Sequence, residues 1–551
     1  MFTHKRYLRI HPNDNAAVAL VDLKQGDPVE LGGIRADLCS DIPSKHKFAL
    51  RALSPGDAVI LYGTLVGKAV THILPGELLS TGNTRHDAAP FRSRLHEYRW
   101  QAPAINGWES KSFRGFVRSD GQVGTRNYWL VIPLVFCENR NVSVLKQAFE
   151  EELGFALPPR YRREVAELVR LFRGGRIDDI RNHAMPEQAA LTPRHPVFAN
   201  IDGIKFLLHN GGCGGTREDS ASLCGLLAGY IHHPNVAGAT VLSLGCQNAQ
   251  VEILRREVEK RNSTFEKPLL VFDQQQCGTE SALLSRTIRE TFLGLVEADK
   301  SARKPALLSH LTIGLKCGGS DGFSGISANP AVGHVADLIS ALHGKALLAE
   351  FPELCGVEQS LIDRCHREQD GNRFIHLMRA YAERAKAVGS GLEMNPSPGN
   401  IRDGLITDAM KSAGAAKKGG TSPITAVLDY PEYATAAGLN LLCTPGSDVE
   451  AVTAEVGAGA NIVLFTTGLG TPTGNPIAPV LKISSNSQLA ARMPDIIDID
   501  AGAVIGGEST IEAMGEAILD NVIEVASGEI RTKAELLGQD DFIPWKRGIS
   551  L

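Results

Sequence analysis

"ATVLSLGCQNAQVEILRREVEKR", residues 239–261, decides the fold, because a mostly apolar run gives way to a helical pattern through one short polar turn. Residues 239–244 have the length of a buried strand, and apolar side chains recur at helical spacing over 249–261. Another apolar run, "KPLLVFDQQQ", follows at 267–276. This order predicts two parallel strands joined by a helix that covers one face of their sheet.

The same alternation continues on both sides of this unit. Further buried strands are predicted in "YWLVIPLVF" (128–136), "GIKFLLHN" (203–210) and "LLSHLTIGLKCGG" (307–319). A second series begins after "NPSPGN" and contains "ITAVLDY", "GLNLLCTPG", "ANIVLFTTG", "APVLKISSN" and "IIDIDAG". Residues 6–80 differ, because short apolar runs are separated there by "QGD", "SPGD" and "LPGE", which are typical of hairpin turns in a compact β module.

These patterns predict an α/β protein in which a small N-terminal β module precedes two α/β domains with largely parallel sheets. The expected boundaries are 1–84 for the β module, 85–112 for a linker, 113–394 for a central domain and 395–551 for a C-terminal domain. Residues 155–200 interrupt the alternation with a basic, partly helical stretch, which we interpret as an insertion into the central domain.

Composition excludes several classes of protein. The 551 residues suffice for two to four domains, and 43% hydrophobic and 22% charged residues are ordinary for a globular chain. A net charge of −5 does not indicate the excess of basic residues that is typical of proteins that bind nucleic acid or anionic membranes. No apolar run is long enough for a membrane span, and no signal peptide is predicted. The ten cysteines form no C-x-x-C pair, which favours reduced thiols in a cytoplasmic protein.

Four of the predicted central strands end at a cysteine, namely Cys137, Cys213, Cys246 and Cys317. Ligands of parallel sheets bind at the carboxyl ends of the strands, so we expect the four thiols to converge in one cleft. Thiolates are good ligands for iron or zinc, and a thiolate beside a base can also act as a nucleophile. The remaining interpretation is that these cysteines only fill tight sites under glycine turns.

Two glycine-rich segments follow strands, "GGCGGT" (211–216) and "CGGSDGFSG" (317–325). Glycine lets the backbone approach a ligand, and free N–H groups attract anions, so both segments are candidate cradles for a carboxylate or phosphate. Neither has the spacing of a nucleotide P-loop. In "GQVGTRNYW" (121–129), Arg126 and Asn127 precede a buried strand, where the guanidinium could grip a carboxylate or form an ordinary ion pair.

The motifs taken together resemble the altronate/galactarate dehydratase family of sugar-acid dehydratases. The resemblance rests on eight segments in the family's order, "KHKFALRALSPGDAVILYGTLVGKAV", "GQVGTRN", "HNGGCGG", "HHPNV", "LGCQNAQ", "LKCGGSDGFSGISANPAVG", "NPSPGN" and "TTGLGTPTG". It implies that the N-terminal module is a SAF domain with a β-clip fold. It also implies dehydration of a hexonate, altronate-like, to a 2-keto-3-deoxy sugar acid, with iron(II), or else manganese(II), as the divalent metal.

The resemblance also suggests roles for individual residues. We expect His209 to be the general base, with His46 and Lys47 closing the site from the N-terminal module. The metal would be held by Cys213, Cys246 and Cys317, with Cys137 in reserve. Substrate binding is expected from a larger set, Arg126, Asn127, Gly318, Gly319, Ser320 and Asp321. The expected partner is a small sugar acid, with neither nucleic acid nor membrane, and we expect a homo-oligomer.

The sequence departs from the family's pattern at four positions, so other functions are also considered. Altronate-type relatives tend to carry histidines where this chain has Ser80 and Gly82, and an arginine and a tyrosine where it has Leu469 and Thr473. The alternatives are therefore a galactarate dehydratase, an eliminase like sulfolactate sulfo-lyase, or a sugar-acid binding protein without catalysis. A purely structural zinc site made by the cysteines is a further interpretation.

Overall fold

The N-terminal β module is present as predicted. The computed structural model describes residues 5–31, 33–158, 160–183 and 195–550. In this module the strands pair antiparallel in three small sheets, ordered β1-β2-β5, β3-β4 and β6-β7-β8. The strands are β1 Tyr7–Leu8, β2 Ala16–Ala19, β3 Pro28–Leu31, β4 Ile34–Asp37, β5 Lys47–Ala49, β6 Ala58–Leu61, β7 Thr64–Ala69 and β8 Thr84–Arg85.

The second unit contains a four-stranded parallel sheet in the order β12-β11-β13-β14 and a small antiparallel sheet, β10-β9-β15. Its strands are β9 Ser112–Val117, β10 Val123–Gly124, β11 Tyr128–Pro133, β12 Gly203–Phe206, β13 Val236–Ser243, β14 Leu269–Asp273 and β15 Lys304–Leu307. Its helices are α1 Asn139–Leu153, α2 Arg160–Arg173, α3 Ile177–Arg181, α4 Arg217–His232, α5 Val251–Arg261, α6 Gln274–Cys277 and α7 Glu280–Ala298, and a 3-10 turn spans Phe136–Glu138.

Helices cover both faces of the four-stranded sheet. Leu130 and Ile132 of β11 pack on the face covered by α4 and α5, whereas Trp129 and Val131 pack on the face covered by α1 and α7. All four side chains are fully buried. This is why the run read as continuously apolar, because each residue of a two-sided parallel sheet meets a helix on one face or the other.

The third unit is a seven-stranded parallel sheet in the order β18-β19-β17-β16-β20-β21-β22. The strands are β16 Thr312–Cys317, β17 Lys345–Leu348, β18 Ile424–Leu428, β19 Gly438–Leu442, β20 Ile462–Thr467, β21 Val480–Ser484 and β22 Ile499–Asp500. The predicted boundary at residue 394 therefore divides this sheet wrongly, since β16 and β17 pair with strands that follow it. Apolar runs alone do not reveal which strands are neighbours.

Helices also cover this larger sheet on both faces. The helices are α8 Ala328–Ala341, α9 Glu358–Arg364, α10 Glu368–Ala387, α11 Pro398–Arg402, α12 Asp408–Ala415, α13 Asp448–Gly457, α14 Ser487–Arg492, α15 Ala503–Gly506, α16 Ile511–Ser527 and α17 Lys533–Leu537. Single 3-10 turns lie at Leu308–His310, Phe351–Leu354, Leu392–Met394 and Ala416–Gly419. α13 packs against α4, so one apolar cluster joins the two parallel sheets.

Two other expectations concern the surface. The insertion predicted at 155–200 contains α2 and α3, although residues 159 and 184–194 lie outside the described part of the chain. Among the helices that are described, none combines the length and the apolar character needed to cross a membrane. The predicted fold class, a β module followed by α/β units with parallel sheets, is confirmed.

Candidate active site

A cavity of about 760 Å³ lies at the carboxyl end of β16. Cys317, the last residue of that strand, lines it together with Gly318, Gly319 and Ser320. Cavities of about 300–1,000 Å³ are typical of small-molecule sites, and this position is where parallel sheets bind their ligands. Three of the residues predicted to bind substrate therefore lie on its wall.

Glu350 lies fully buried behind this wall, just after β17. Its Oε1 pairs with Lys316, and its Oε2 accepts a hydrogen bond from Lys418 Nζ at 2.5 Å. Lys418 Nζ also lies 2.9 Å from Cys317 Sγ. Burial lowers the pKa of Lys418, but Cys317 and Glu350 reverse this effect and leave it above its ordinary value. The ammonium group is therefore charged although it is buried.

Glu353 and Lys411 form a second ion pair, and both residues line the cavity. Lys411 Nζ lies 2.8 Å from Glu353 Oε1 and donates to Asn395 Oδ1 at 2.6 Å, while Cys317 Sγ donates to Glu353 Oε2 at 3.3 Å. Burial opposes ionisation of Glu353, but Lys411 with the other two lysines holds its pKa below the ordinary carboxyl value. Burial raises the pKa of Cys317 to about 12, so its thiol is protonated.

The loop after β16 is held close to its neighbours. A Cβ atom on Gly318 would come within 2.5 Å of the Asp448 carboxylate oxygens, so only glycine fits there. Asn400 Nδ2 donates to Ser320 O at 2.8 Å. Asn400 itself lies in α11, whose start is fixed by a capping box with Ser397. The "NPSPGN" segment thus positions the glycine loop from the side.

The cluster at Cys317 does not fit a divalent metal. Cys317, Glu350 and Glu353 each place one ligand atom within 4.8 Å of the others. However, three of the four carboxylate oxygens are paired with lysine ammonium groups, and the fourth accepts the thiol hydrogen bond. A cation would have to displace ammonium groups that are themselves buried, at a high desolvation cost. With its neighbours paired in this way, Cys317 gains no support as a metal ligand, and that role stays a prediction.

The other three cysteines that were predicted as metal ligands follow strands of one sheet, but they are not among the candidate metal groups of the described residues. Cys137, Cys213 and Cys246 follow β11, β12 and β13, which are neighbours in the four-stranded sheet. Cys317 ends a strand of the seven-stranded sheet instead. Of the four predicted cysteines, Cys317 is the one among the residues that line the cavity.

His209 supports the backbone in place of serving as a base. Its Nε2 hydrogen-bonds Pro133 O at 2.6 Å, and its Nδ1 accepts from Gly211 N–H at 3.1 Å. Burial lowers its pKa to about 4, so the ring is neutral at physiological pH. With both ring nitrogens engaged by the backbone, the geometry does not support the predicted role in proton abstraction, which stays a prediction.

Arg126 and Asn127 are structural. Arg126 is buried and forms a bidentate ion pair with Glu535, with N···O distances of 2.8 and 3.0 Å. Its third nitrogen donates to Thr125 O and Val525 O. Asn127 Nδ2 donates to Asn200 O at 2.7 Å. The guanidinium therefore joins the segment before β11 to the C-terminal helices, and its predicted role in binding a substrate carboxylate gains no support.

The predicted residues of the N-terminal module lie at its contact with the third unit. Lys47 is buried and donates to Lys45 O and Gly404 O, and burial lowers its pKa to about 7. His46 Nδ1 lies 3.1 Å from Ser44 O. Neither residue is on the cavity wall. Both therefore fall short of the predicted catalytic position and contribute to docking of the module.

Asp321 binds protein groups. It is fully buried and accepts from Ser324 and Phe323 N–H, from Ser485 Oγ and from Asn486 Nδ2. These contacts fix the glycine loop in place and give no support to the prediction that Asp321 contacts substrate. Gly318, Gly319 and Ser320 line the cavity, and their role in substrate binding stays a prediction.

Sequence reasoning missed Glu353 and Lys411 on the cavity wall, and Glu350 and Lys418 buried behind it. Glu350 and Glu353 lie in "LLAEFPEL", where two carboxylates follow a buried strand, and this placement was a usable signal. Lys411 and Lys418 lie in "DAMKSAGAAKKGG", which does not directly follow a predicted buried strand and so gave no signal of a functional role. Only their contacts in the folded chain distinguish them from surface lysines.

Comparison with protein families gives matches along nearly the whole chain. The model of the D-galactarate/altronate dehydratase C-terminal domain matches residues 308–550. That of the second domain of D-galactarate dehydratase/altronate hydrolase matches residues 115–299, and that of the altronate/galactarate dehydratase SAF domain matches residues 5–87. These three ranges coincide with the β module, the four-stranded unit and the seven-stranded unit.

Individual relatives agree with these matches. The chain is 32% identical over 529 residues to "Altronate dehydratase" of Bacillus subtilis (strain 168), covering 96% of both chains. It is 32% identical over 532 residues to "Altronate dehydratase" of Escherichia coli (strain K12), covering 95% of this chain and 96% of that one. It is 29% identical over 538 residues to "Galactarate dehydratase (L-threo-forming)" of the same strain, covering 97% and 95%.

Proposed function

The chain belongs to the altronate/galactarate dehydratase family, and on this premise we propose that it removes water from an altronate-like hexonate in the cavity beside Cys317. It is a sugar-acid dehydratase, and hence a hydro-lyase. The observation that carries the location is a cavity of about 760 Å³ whose wall holds an ion pair, Glu353 with Lys411, beside a glycine loop. Its size suits a six-carbon acid.

Lys411 is the group that would hold the developing charge. The proton on C2 of a sugar acid is weakly acidic, and its removal places negative charge on the neighbouring carboxylate as an enediolate. Glu353 keeps the Lys411 ammonium charged, since it reverses the effect of burial and raises the lysine pKa. A fixed ammonium group at the cavity wall stabilises that charge without having to reorganise.

Glu353 is the group that would move the proton. It is ionised, it lines the cavity, and its Oε2 is bonded to a thiol and not to a second ammonium. In the proposed step the carboxylate takes the C2 proton and delivers it to the C3 hydroxyl. The C2–H and C3–O bonds break, a C2–C3 double bond forms, and one water leaves. The enol product then tautomerises to the 2-keto-3-deoxy acid.

Glu353→Gln tests this proposal. The amide cannot accept the proton, so we expect keto-acid formation from altronate and exchange of the C2 proton in deuterated water to fall by about 10²–10⁴-fold. Glu432→Gln is the matched control, because Glu432 pairs with Arg373 at the surface with about 43% of its side chain exposed. Wild-type exchange in Glu353→Gln would remove this residue as the base.

The substrate itself is tested with a panel of altronate, galactarate and sulfolactate. Leu469 lines the cavity, and 38% of its surface is exposed. Because altronate-type relatives tend to carry an arginine at this position, we expect the apolar side chain to alter which acid the cavity accepts. If the protein turned over galactarate or sulfolactate but not altronate, that acid would replace altronate as the proposed substrate. Calorimetric binding of these acids without any keto acid would favour a binding protein over an enzyme.

A further inference from the structure

A second cavity, of about 420 Å³, lies where the N-terminal module meets the third unit. The module contributes the tip of the β6–β7 hairpin, residues 62–64, and the third unit contributes residues within 356–364 and 413–421. The linker closes one side, where Tyr98 donates a hydrogen bond to Thr421 O at 2.5 Å. The volume is within the range typical of small-molecule sites, and no lining residue is shared with the first cavity.

Arg364 lies in the wall of this second cavity with only 8% of its surface exposed. Its Nε donates to Ser422 O at 3.1 Å, and its Nη2 donates to Gly419 O at 2.9 Å and to Ser422 O at 2.7 Å. Its Nη1 makes no hydrogen bond with a described residue, and none of their carboxylates lies within ion-pair distance of the guanidinium. Backbone carbonyls orient the group but carry no net charge, so this buried cation lacks a counter-ion.

Lys417 is a second cation on the same wall. Its Nζ lies 6.0 Å from the centroid of the Tyr62 ring, and it makes no hydrogen bond or ion pair with the described residues. Burial and the positive charge of Arg364 both lower the pKa of Lys417, so the two cations are near enough to repel each other. None of the described lining residues is an aspartate or a glutamate.

The nearest acidic side chains are engaged elsewhere. Asp14 and Asp337 are the carboxylates whose charges act on the two cations. Asp14 accepts a hydrogen bond from Gly63 N–H at 2.7 Å. Asp337 accepts one from Thr421 N–H at 2.8 Å. Neither carboxylate lines the cavity, so the place of a counter-ion between the two cations is left to a ligand.

We propose that the second cavity binds a small organic anion whose phosphate or carboxylate group is held between Arg364 and Lys417. The planar guanidinium matches the oxygens of both groups, and the ammonium adds a second charge. The hydroxyl of Tyr62, which makes no hydrogen bond with a described residue, is available as a further donor. The rings of Tyr62 and Tyr98 offer apolar surface to the carbon skeleton of the ligand.

This site is independent of the function proposed for the cavity beside Cys317. Lys418, the residue after Lys417, pairs with Glu350 behind that first cavity. Both lysines lie in the single 3-10 turn Ala416–Gly419, which therefore contributes one cation to each site. Loss of catalysis in Glu353→Gln would leave anion binding in the second cavity intact, so the two proposals can fail separately.

Acetylation of lysines, mapped by mass spectrometry, tests the site in the full-length wild-type protein. The protein is treated with an acetylating succinimidyl ester in inorganic phosphate, in succinate, or in sodium chloride of equal ionic strength. We expect phosphate or succinate to protect Lys417 and to leave Lys68, an exposed lysine of the N-terminal module, equally modified. The anion that protects at the lower concentration identifies the preferred group. Equal acetylation of Lys417 in all three salts would overturn the proposal.

Calorimetric titration of variants with the protecting anion gives the second test. Lys417→Met removes a cation that makes no hydrogen bond, so the fold is retained and we expect binding to weaken by about 10–100-fold, the loss of one hydrogen bond to a charged group. Lys417→Arg keeps the charge and should bind the anion. Lys68→Met is the matched control and should bind it like the wild type. Undiminished binding in Lys417→Met would place the anion elsewhere and overturn the proposal.

Discussion

The carboxylate of Glu350 is shared by two buried ammonium groups. Its side chain and that of Lys316 have no exposure, and that of Lys418 has 1%. Each oxygen serves one lysine, so neither charge is left without a partner. Loss of this carboxylate would leave Lys418 without its ion-pair partner and Lys316 with Asp448 alone.

Glu350→Gln therefore should destabilise the protein strongly. We expect the free energy of unfolding to fall by about 3–5 kcal/mol, the usual cost of breaking a buried ion pair, as measured by urea denaturation followed by circular dichroism. Glu432→Gln removes an exposed pair with Arg373 and should cost about 0–1 kcal/mol. Similar small losses in both variants would contradict the dependence of Lys316 and Lys418 on Glu350.

Residue types alone did not separate functional from structural side chains. Arg126 has the chemistry to grip a carboxylate, but the carboxylate that it meets is Glu535 of the chain itself. His209 has the chemistry of a base, but backbone groups occupy its ring. In both cases the partner is set by an element distant in sequence, which residue type and local spacing do not reveal.

At the scale of elements, the loop after β16 forms part of the cavity wall. The strand delivers Cys317 to the cavity wall, and Gly318 then lets the chain pass against Asp448 at the start of α13. Lys316, one residue earlier, pairs with the same Asp448 at 2.9 Å. A side chain at 318 would therefore disturb both the cavity wall and this ion pair.

Gly318→Ala tests this close approach. The added methyl would meet the Asp448 oxygens and Phe465 Cζ at 2.5 Å, so we expect kcat/KM for the accepted acid to fall about tenfold or more. Gly506→Ala is the control, because a Cβ there meets its nearest atom at 3.6 Å, an ordinary contact. Unchanged kcat/KM in Gly318→Ala would show that the loop has room to shift.

At the scale of the whole molecule, the N-terminal module is clamped onto the cavity loop. Lys45 Nζ reaches across to Asp321 Oδ2 at 3.1 Å and Asp403 Oδ1 at 3.2 Å. Phe323 and Ile326, which follow the glycine loop, are part of the module's apolar core. The module therefore supports the loop that lines the cavity, although His46 and Lys47 do not reach the cavity.

Lys45→Met should weaken that support. Asp321 is fully buried and loses its lysine partner, so we expect about 3 kcal/mol of lost stability and lower turnover, measured by urea denaturation and steady-state kinetics. Lys68→Met, in the same module, removes an exposed pair with Asp87 and should cost about 0–1 kcal/mol. Equal behaviour of the two variants would argue against a structural link between module and cavity.

Local patterns determined the elements of this protein. The apolar runs predicted the strands of both parallel sheets except β17, the turn residues predicted the β module, and the glycine segments marked the loops at strand ends. These features follow from short-range rules of periodicity and backbone conformation, which depend only on neighbouring residues. Because strand ends are predicted from such local patterns, the sequence also showed that four of the predicted strands end at a cysteine.

Only the tertiary structure decided which of these ends meet. It assigned β16, and with it Cys317, to the seven-stranded sheet, whereas Cys137, Cys213 and Cys246 follow strands of the four-stranded sheet. It also brought Lys316, Glu350 and Lys418 into contact from three distant segments. Strand order and buried charge pairs are set by packing between segments far apart in the chain, so no local pattern records them.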